Sequence, residues 1–262
     1  MLTMVLRQAS ERAAGARREL ARRTALAREA GPAGVAGPRL HLLLDELRAI
    51  IDRRGDERDA VRLVGRHHAM RPQPVMLLPG FGAHPVRMRR MSRSLAAAGH
   101  RVEDWGLGIN LGPTEENFAF LMERVAGLAR YHGGPVSLVG WSLGGLFARE
   151  LARRQPENVR KVITLGTPFS GNRRANNVWR AYQLVTGKSV DAPPIPDCDF
   201  TTKPAVPTIA IWSARDGMIA PRTACGRRHE RDRAVALRCN HMGFPRDPRS
   251  IIEVLRQLDH ED

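Results

Sequence analysis

The apolar positions of this chain follow two regimes that meet near residue 72. Residues 1–30 are rich in Ala, Arg, Leu and Glu, good helix formers, and predict a helix of polar character. Gly31-Pro32-Ala33-Gly34 and Gly37-Pro38 break it. Over 40–51 the apolar residues Leu40, Leu43, Leu44, Leu47, Ile50 and Ile51 recur at helical spacing, which predicts a second, amphipathic helix. No strand pattern precedes Val75. Residues 1–72 therefore read as a helical N-terminal extension, either packed on the domain that follows or partly mobile.

From Val75 short apolar runs alternate with amphipathic stretches. Strands are predicted at 75–78, from Arg101, and at 135–139, 162–165, 208–212 and 234–237. Helices are predicted over 85–98, 115–131, 146–152 and 248–258; in the second of these Phe118, Leu121, Met122, Val125 and Leu128 share a face. Repeated strand–helix units imply an α/β fold of about six mostly parallel strands, with helices on both faces and ligands at the carboxyl ends of the strands. Residues 169–206 break the rhythm with a helical middle and a Pro-rich tail. An insertion of that size after a strand reads as a cap or lid. The expected layout is an extension over 1–72 and a catalytic domain over 73–262, the cap included.

One strand-to-helix junction reads Gly140-Trp141-Ser142-Leu143-Gly144. A G-x-S-x-G between a strand and a helix is the context of a nucleophile elbow, where glycines allow a sharp turn and the serine stands exposed at its tip. Serine needs a base to take its proton, and the base needs a third group to orient it. In elbows of this kind the acid and then the histidine follow the serine in the chain. Asp216 lies in Ser213-Ala214-Arg215-Asp216-Gly217 after the fifth strand, and His241 in Arg238-Cys239-Asn240-His241-Met242-Gly243 after the sixth. Both loops fall on the sheet edge that carries Ser142. His229 sits among Arg and Glu, His260 sits almost at the end of the sequence, and the other histidines precede the elbow. Asp191, Asp197 and Asp199 belong to the cap, and Asp232 follows a charged run.

Acyl chemistry also requires donors for an oxyanion. The backbone N–H of Leu143 is one candidate, and that of Phe81, in Pro79-Gly80-Phe81-Gly82, is the other. The same glycines would also serve a plain turn that ends a strand. In the cap, Val178, Trp179, Tyr182, Leu184 and Val185 recur at roughly helical spacing. The candidate pocket residues are Trp141, Trp179, Tyr182 and Leu184, though the cap set reads equally well as the cap's own packing face.

Leu78-Pro79-Gly80-Phe81, the run from Trp105 to Pro113, Gly140 to Gly145, Leu165-Gly166-Thr167-Pro168-Phe169, Ser213 to Gly217 and Asn240 to Gly243 carry a family resemblance. From about Val75 onward the chain resembles α/β-hydrolases of the lipase/esterase type, in a bacterial, lipase-like branch. The resemblance implies Ser142 as nucleophile, His241 as base and Asp216 as acid, with no metal or organic cofactor. Two departures stand out. Many lipases carry His-Gly where this chain has Pro79-Gly80, and two strands that often precede the oxyanion loop are missing, which implies a compact six-stranded sheet. The expected activity is hydrolysis of a carboxylic ester, small-molecule or lipid. The alternatives are an acyltransferase or thioesterase with the same residues, and a non-catalytic basic membrane-surface or binding protein.

Composition changes this picture little. The formal net charge of +15 over 262 residues comes almost wholly from arginine, the lysines being Lys161, Lys188 and Lys203. Such a surface could attract nucleic acid, anionic lipid or acidic substrates, or reflect a compositional preference for arginine. Aromatic residues make up 5% and are not interleaved with the basic ones as in a single-strand binder, so no nucleic-acid partner is expected. Cys198, Cys225 and Cys239 form neither a metal spacing nor a disulfide framework, which suits a reducing compartment. No run of about 18 apolar residues is present and the first residues are charged too soon for a secretory segment, so a cytoplasmic location is expected.

Overall fold

The structure is a computed structural model and describes residues 2–51, 65, 67–192 and 195–261. Its strands are β1 (Pro74–Leu78), β2 (Arg101–Asp104), β3 (Val136–Trp141), β4 (Val159–Leu165), β5 (Thr208–Ser213) and β6 (Arg233–Leu237). They form one sheet in the order β2-β1-β3-β4-β5-β6, with every neighbouring pair parallel. The helices are α1 (Leu2–Ala27), α2 (Leu40–Ile51), α3 (Arg89–Ala97), α4 (Glu115–His132), α5 (Leu143–Arg154), α6 (Trp179–Thr186), α7 (Pro221–Cys225) and α8 (Pro248–Asp259). The helix expected over 85–98 is divided. A 3₁₀ turn, Pro85–Met88, is capped by His84 Nδ1 accepting from the Val86 N–H, and α3 follows it.

The inner strands β1, β3, β4 and β5 are mostly apolar runs because both faces of the sheet are covered there, and alternate residues serve opposite faces. Val75, Leu77, Val139, Ile163, Leu165, Ile209 and Ile211 meet Met91 and Leu95 of α3 and Ile251, Val254 and Leu255 of α8. Met76, Leu78, Leu138 and Val162 meet Phe118, Leu121 and Val125 of α4 and Phe147 and Leu151 of α5 on the other face. Leu121 is wholly buried, and its truncation to Ala would cost about 2–5 kcal/mol. Helix α4 starts where Thr114 and Asn117 cap each other reciprocally and stops at Gly133, whose φ is 70°.

The cap rises from the body after β4. Its base is tied down by Arg149 of α5, which is buried and donates to the carbonyls of Phe200 (2.7 Å) and Glu230 (2.9 Å). The guanidinium also stacks on Phe169, 4.1 Å from the ring centre, and burial pulls its pKa down to about 10.

The C-terminal end of α1 and the segment that follows it are packed against the cap. Arg22 and Arg23 of α1 donate to the carbonyls of Gly187 (3.0 Å) and Val185 (2.7 Å) at the end of α6, while Gln183 Nε2 donates to Leu26 O (2.6 Å). Arg174 of the cap pairs with Glu29 at 2.6 Å. Residues 52–64 of the expected extension lie outside the described residues. The helix expected over 40–51 is present as α2, and in it Leu40 and Leu44 are 73% and 55% exposed, whereas Glu46 is fully buried. The face that docks is the one bearing the carboxylate, because backbone donors converge on it.

Candidate active site

Helix α5 begins directly after β3, and Ser142 occupies the junction with φ 54° and ψ −121°. A non-glycine residue held there costs of order 1–3 kcal/mol and persists only where its surroundings fix it. Here the Ser142 N–H donates to Leu165 O at 2.8 Å, and α5 is pressed against the end of β1. A Cβ on Gly144 would stand 2.2 Å from the Leu78 carbonyl oxygen, so only glycine permits that approach.

Asp216 stands in the turn after β5 and His241 in the loop after β6; both are almost wholly buried. Asp216 Oδ1 accepts the N–H groups of Met218 and Ile219, each at 2.8 Å, and Oδ2 lies 2.7 Å from His241 Nδ1. An acceptor carboxylate at Nδ1 assigns the ring proton to that nitrogen and leaves Nε2 as the basic one. Burial of the imidazole opposes its charge, but the Asp216 carboxylate, its hydrogen bond and the Glu46 carboxylate outweigh that, so the His241 pKa lies above its ordinary value of 6.5. Ser213 Oγ donates to Cys239 O at 2.6 Å, which ties the acid turn to the base loop.

Trp141 links the elbow to His241. Its indole N–H donates to His241 O at 3.2 Å, and its ring centre lies 5.7 Å from the imidazole. Among the described hydrogen bonds none joins Ser142 Oγ to His241. The loop that bears Phe81 is fixed by Asn110, whose Nδ2 donates to Pro79 O and whose carbonyl accepts the Gly82 N–H, each at 2.7 Å. Neither the Phe81 nor the Leu143 N–H is donated to a backbone acceptor among the described residues.

A mainly apolar cavity of about 730 Å³, mouth included, lies over Ser142. Phe81, Leu143 and Leu146 line it from the body, and Val178, Trp179 and Tyr182 from the cap. The Phe81 and Tyr182 rings pack with centres 5.2 Å apart. Two expected pocket residues lie elsewhere. Trp141 belongs to the core around β3, since strand alternation puts it on the face of Val139. Leu184 is 42% exposed, because the inward face of α6 is built from Trp179, Tyr182 and Gln183, three and four residues apart.

The competing residues have other partners or none at the cavity. Asp191 pairs with Arg174, Asp232 with Lys203, and Asp199 holds Thr201 and Thr202. His229 and His260 are exposed. Glu46 and Asn110 are the site residues that the pattern did not single out. Asn110 lies inside the run from Trp105 to Pro113; the one sign of Glu46 is an acid in an apolar helix. Among the described residues no cluster of His, Cys, Asp or Glu fits a metal ion, and no helix is long and apolar enough to cross a membrane. The three cysteines are free, and burial pushes the Cys198 and Cys239 thiols up to about 12.

A family model described as the alpha/beta hydrolase fold matches residues 106–197, which include the elbow. The biotin biosynthesis bifunctional protein BioHC of Teredinibacter turnerae is 32% identical over 110 residues, 39% of this chain and 19% of that protein. This chain thus matches about a fifth of that relative's length. Polyneuridine aldehyde esterase superposes with a TM-score of 0.54 at 12% identity, over 72% of this chain and all of that one. The mature Bacillus licheniformis lipase BlEst2 gives 0.54 at 14% identity, over 75% of this chain and 95% of the other. Likeness at such identity is likeness of fold, and this chain has the α/β-hydrolase fold.

Proposed function

We propose that this α/β-hydrolase-fold chain is a serine hydrolase that cleaves carboxylic esters through an acyl-enzyme. The observation that carries the reading is a serine held at positive φ on the floor of an apolar cavity, at the same end of the sheet as a buried His–Asp pair whose histidine is tied to the serine's neighbour Trp141. The esterase and lipase among the structures of the same fold support it.

In this mechanism Ser142 Oγ attacks the ester carbonyl carbon as its proton passes to His241 Nε2. On this reading the Ser142–His241 hydrogen bond forms when substrate fills the site, as catalytic hydrogen bonds commonly do. The oxyanion receives the N–H groups of Phe81 and Leu143. When the tetrahedral intermediate collapses, the carbon–oxygen bond to the alcohol breaks and His241 returns its proton to the leaving alkoxide. Water then attacks the acyl-enzyme while His241 takes one of its protons. The second collapse releases the carboxylic acid and restores the serine hydroxyl. Asp216 holds Nε2 in its basic form and balances the imidazolium in both half-reactions. The apolar walls from α6 and Phe81 suit an aliphatic or aromatic acyl group.

Ser142→Ala is expected to lower hydrolysis of a p-nitrophenyl ester series by about 10⁴-fold or more, with the melting temperature retained. Unchanged turnover in the folded variant overturns the reading. Product analysis with a competing alcohol distinguishes water from an alcohol as the acceptor; hydrolysis expects free acid, whereas an alkyl ester as main product would make the protein a transferase.

A further inference from the structure

Glu46 is a buried acid that takes no part in the proton transfers of ester cleavage. It stands on α2, far upstream of the loops it touches. Its Oε1 accepts the N–H of Gly217 at 2.9 Å and the N–H of His241, and its Oε2 accepts the N–H of Met242 at 3.0 Å. Gly217 directly follows Asp216, so one carboxylate grips the acid turn and the base loop together. The approach is close: a Cβ on Gly217 would stand 2.3 Å from Leu42 O and 2.8 Å from Glu46 Cγ.

Leu42 and Glu46 are four residues apart and share one face of α2. A fully buried carboxylate is costly unless its lone pairs are satisfied, and here backbone donors satisfy them. Removing it would leave two buried N–H groups and one half-buried one without that acceptor, at the two places where the geometry of the His–Asp pair is set. The carboxylate also lies near enough to the imidazole to favour its protonated form. The other acid facing the imidazole is Asp216, and the Cys239 thiol lies in the field of both acids. His41, Asp45, Arg215, Arg238, Asp247 and Arg249 line the cleft between α2 and these loops.

We propose that Glu46 is a positioning residue of the hydrolytic reaction. It fixes the Asp216 and His241 loops at one spacing and sets a negative charge beside the ring that becomes cationic in each half-reaction. Helix α2 is on this account part of the active site. The inference rests on the serine-hydrolase reading.

The test uses the full chain and two substitutions, with kcat expressed per serine titrated by a fluorophosphonate. Glu46→Gln keeps the shape, removes the charge and turns a donor toward one or more of the N–H groups. It is expected to lower kcat for a p-nitrophenyl ester roughly ten- to hundred-fold, with KM within about twofold of wild type. The acid limb of kcat/KM moves to lower pH, because an anion that favours the imidazolium is gone. Glu46→Asp keeps the charge but is one methylene short, so its kcat falls between the two and its acid limb stays near wild type.

A folded Glu46→Gln variant with wild-type kcat and an unmoved limb overturns the proposal. If that variant does not fold, Glu46→Asp decides: a lowered kcat at wild-type KM upholds the proposal, and wild-type kcat overturns it. Should the wild type label at Ser142 yet cleave no ester offered, the ester reading fails alone. The Glu46 comparison is then read as labelling rates, with slower labelling of Glu46→Gln expected and equal rates overturning it. A wild type that neither labels nor turns over defeats both.

Discussion

Two buried or half-buried histidine–aspartate pairs lie at opposite ends of the same sheet. At the carboxyl end His241 Nδ1 is 2.7 Å from Asp216 Oδ2; at the amino end His67 Nε2 is 3.2 Å from Asp259 Oδ2. Asp259 uses its other oxygen on the Met70 N–H (3.0 Å), so that pair fastens the end of α8 to the chain entering β1. Around Asp216 and His241, by contrast, stand the strained Ser142, the cavity, and a second carboxylate from α2. The same two residue types do different work because parallel strands gather their following loops at one edge only.

Breaking each pair in turn sharpens the contrast. Asp216→Asn is expected to cost kcat on the order of 10³–10⁴-fold, because the amide no longer holds Nε2 in its basic form. The next effect is on pH dependence. His241 must be neutral to accept the Ser142 proton, so kcat/KM of the wild type rises with pH through a midpoint above the ordinary 6.5. Asp216→Asn removes the main anion that raises this pKa and is expected to move the residual activity's acid limb downward. Asp259→Asn has the smallest effect: kcat per labelled serine and the acid limb stay as in wild type, while stability falls by about 1 kcal/mol, read from denaturant unfolding. Equal losses of kcat in the two Asn variants would erase the distinction between the pairs.

Much of this was legible in the sequence, and for identifiable reasons. A strand covered on both faces has no polar side to show, so 75–78, 136–141 and 208–212 stand out as short apolar runs. The elbow motif and Asp216 could be located because each follows such a strand, and His241 because it follows the short run Ala234-Val235-Ala236-Leu237 of the edge strand β6. Glu46 could not, because a glutamate in a helix reads as a solvent-facing charge, and its partners are backbone N–H groups, which any sequence has. Leu40 and Leu44 of α2 are exposed while Glu46 is buried, the reverse of what their residue types suggest. Leu184 was misread because an apolar set at loosely helical spacing does not fix which residue turns inward. Strand alternation alone would have assigned Trp141 to the core beside Val139.

The central claim is that Ser142 is an activated nucleophile, and covalent labelling bears on it most directly. Wild-type protein treated with a fluorophosphonate and analysed by peptide mass spectrometry is expected to carry one adduct, on Ser142, formed far more slowly in Asp216→Asn than in Asp259→Asn. No adduct, an adduct on another residue, or equal rates in the two variants would contradict the account.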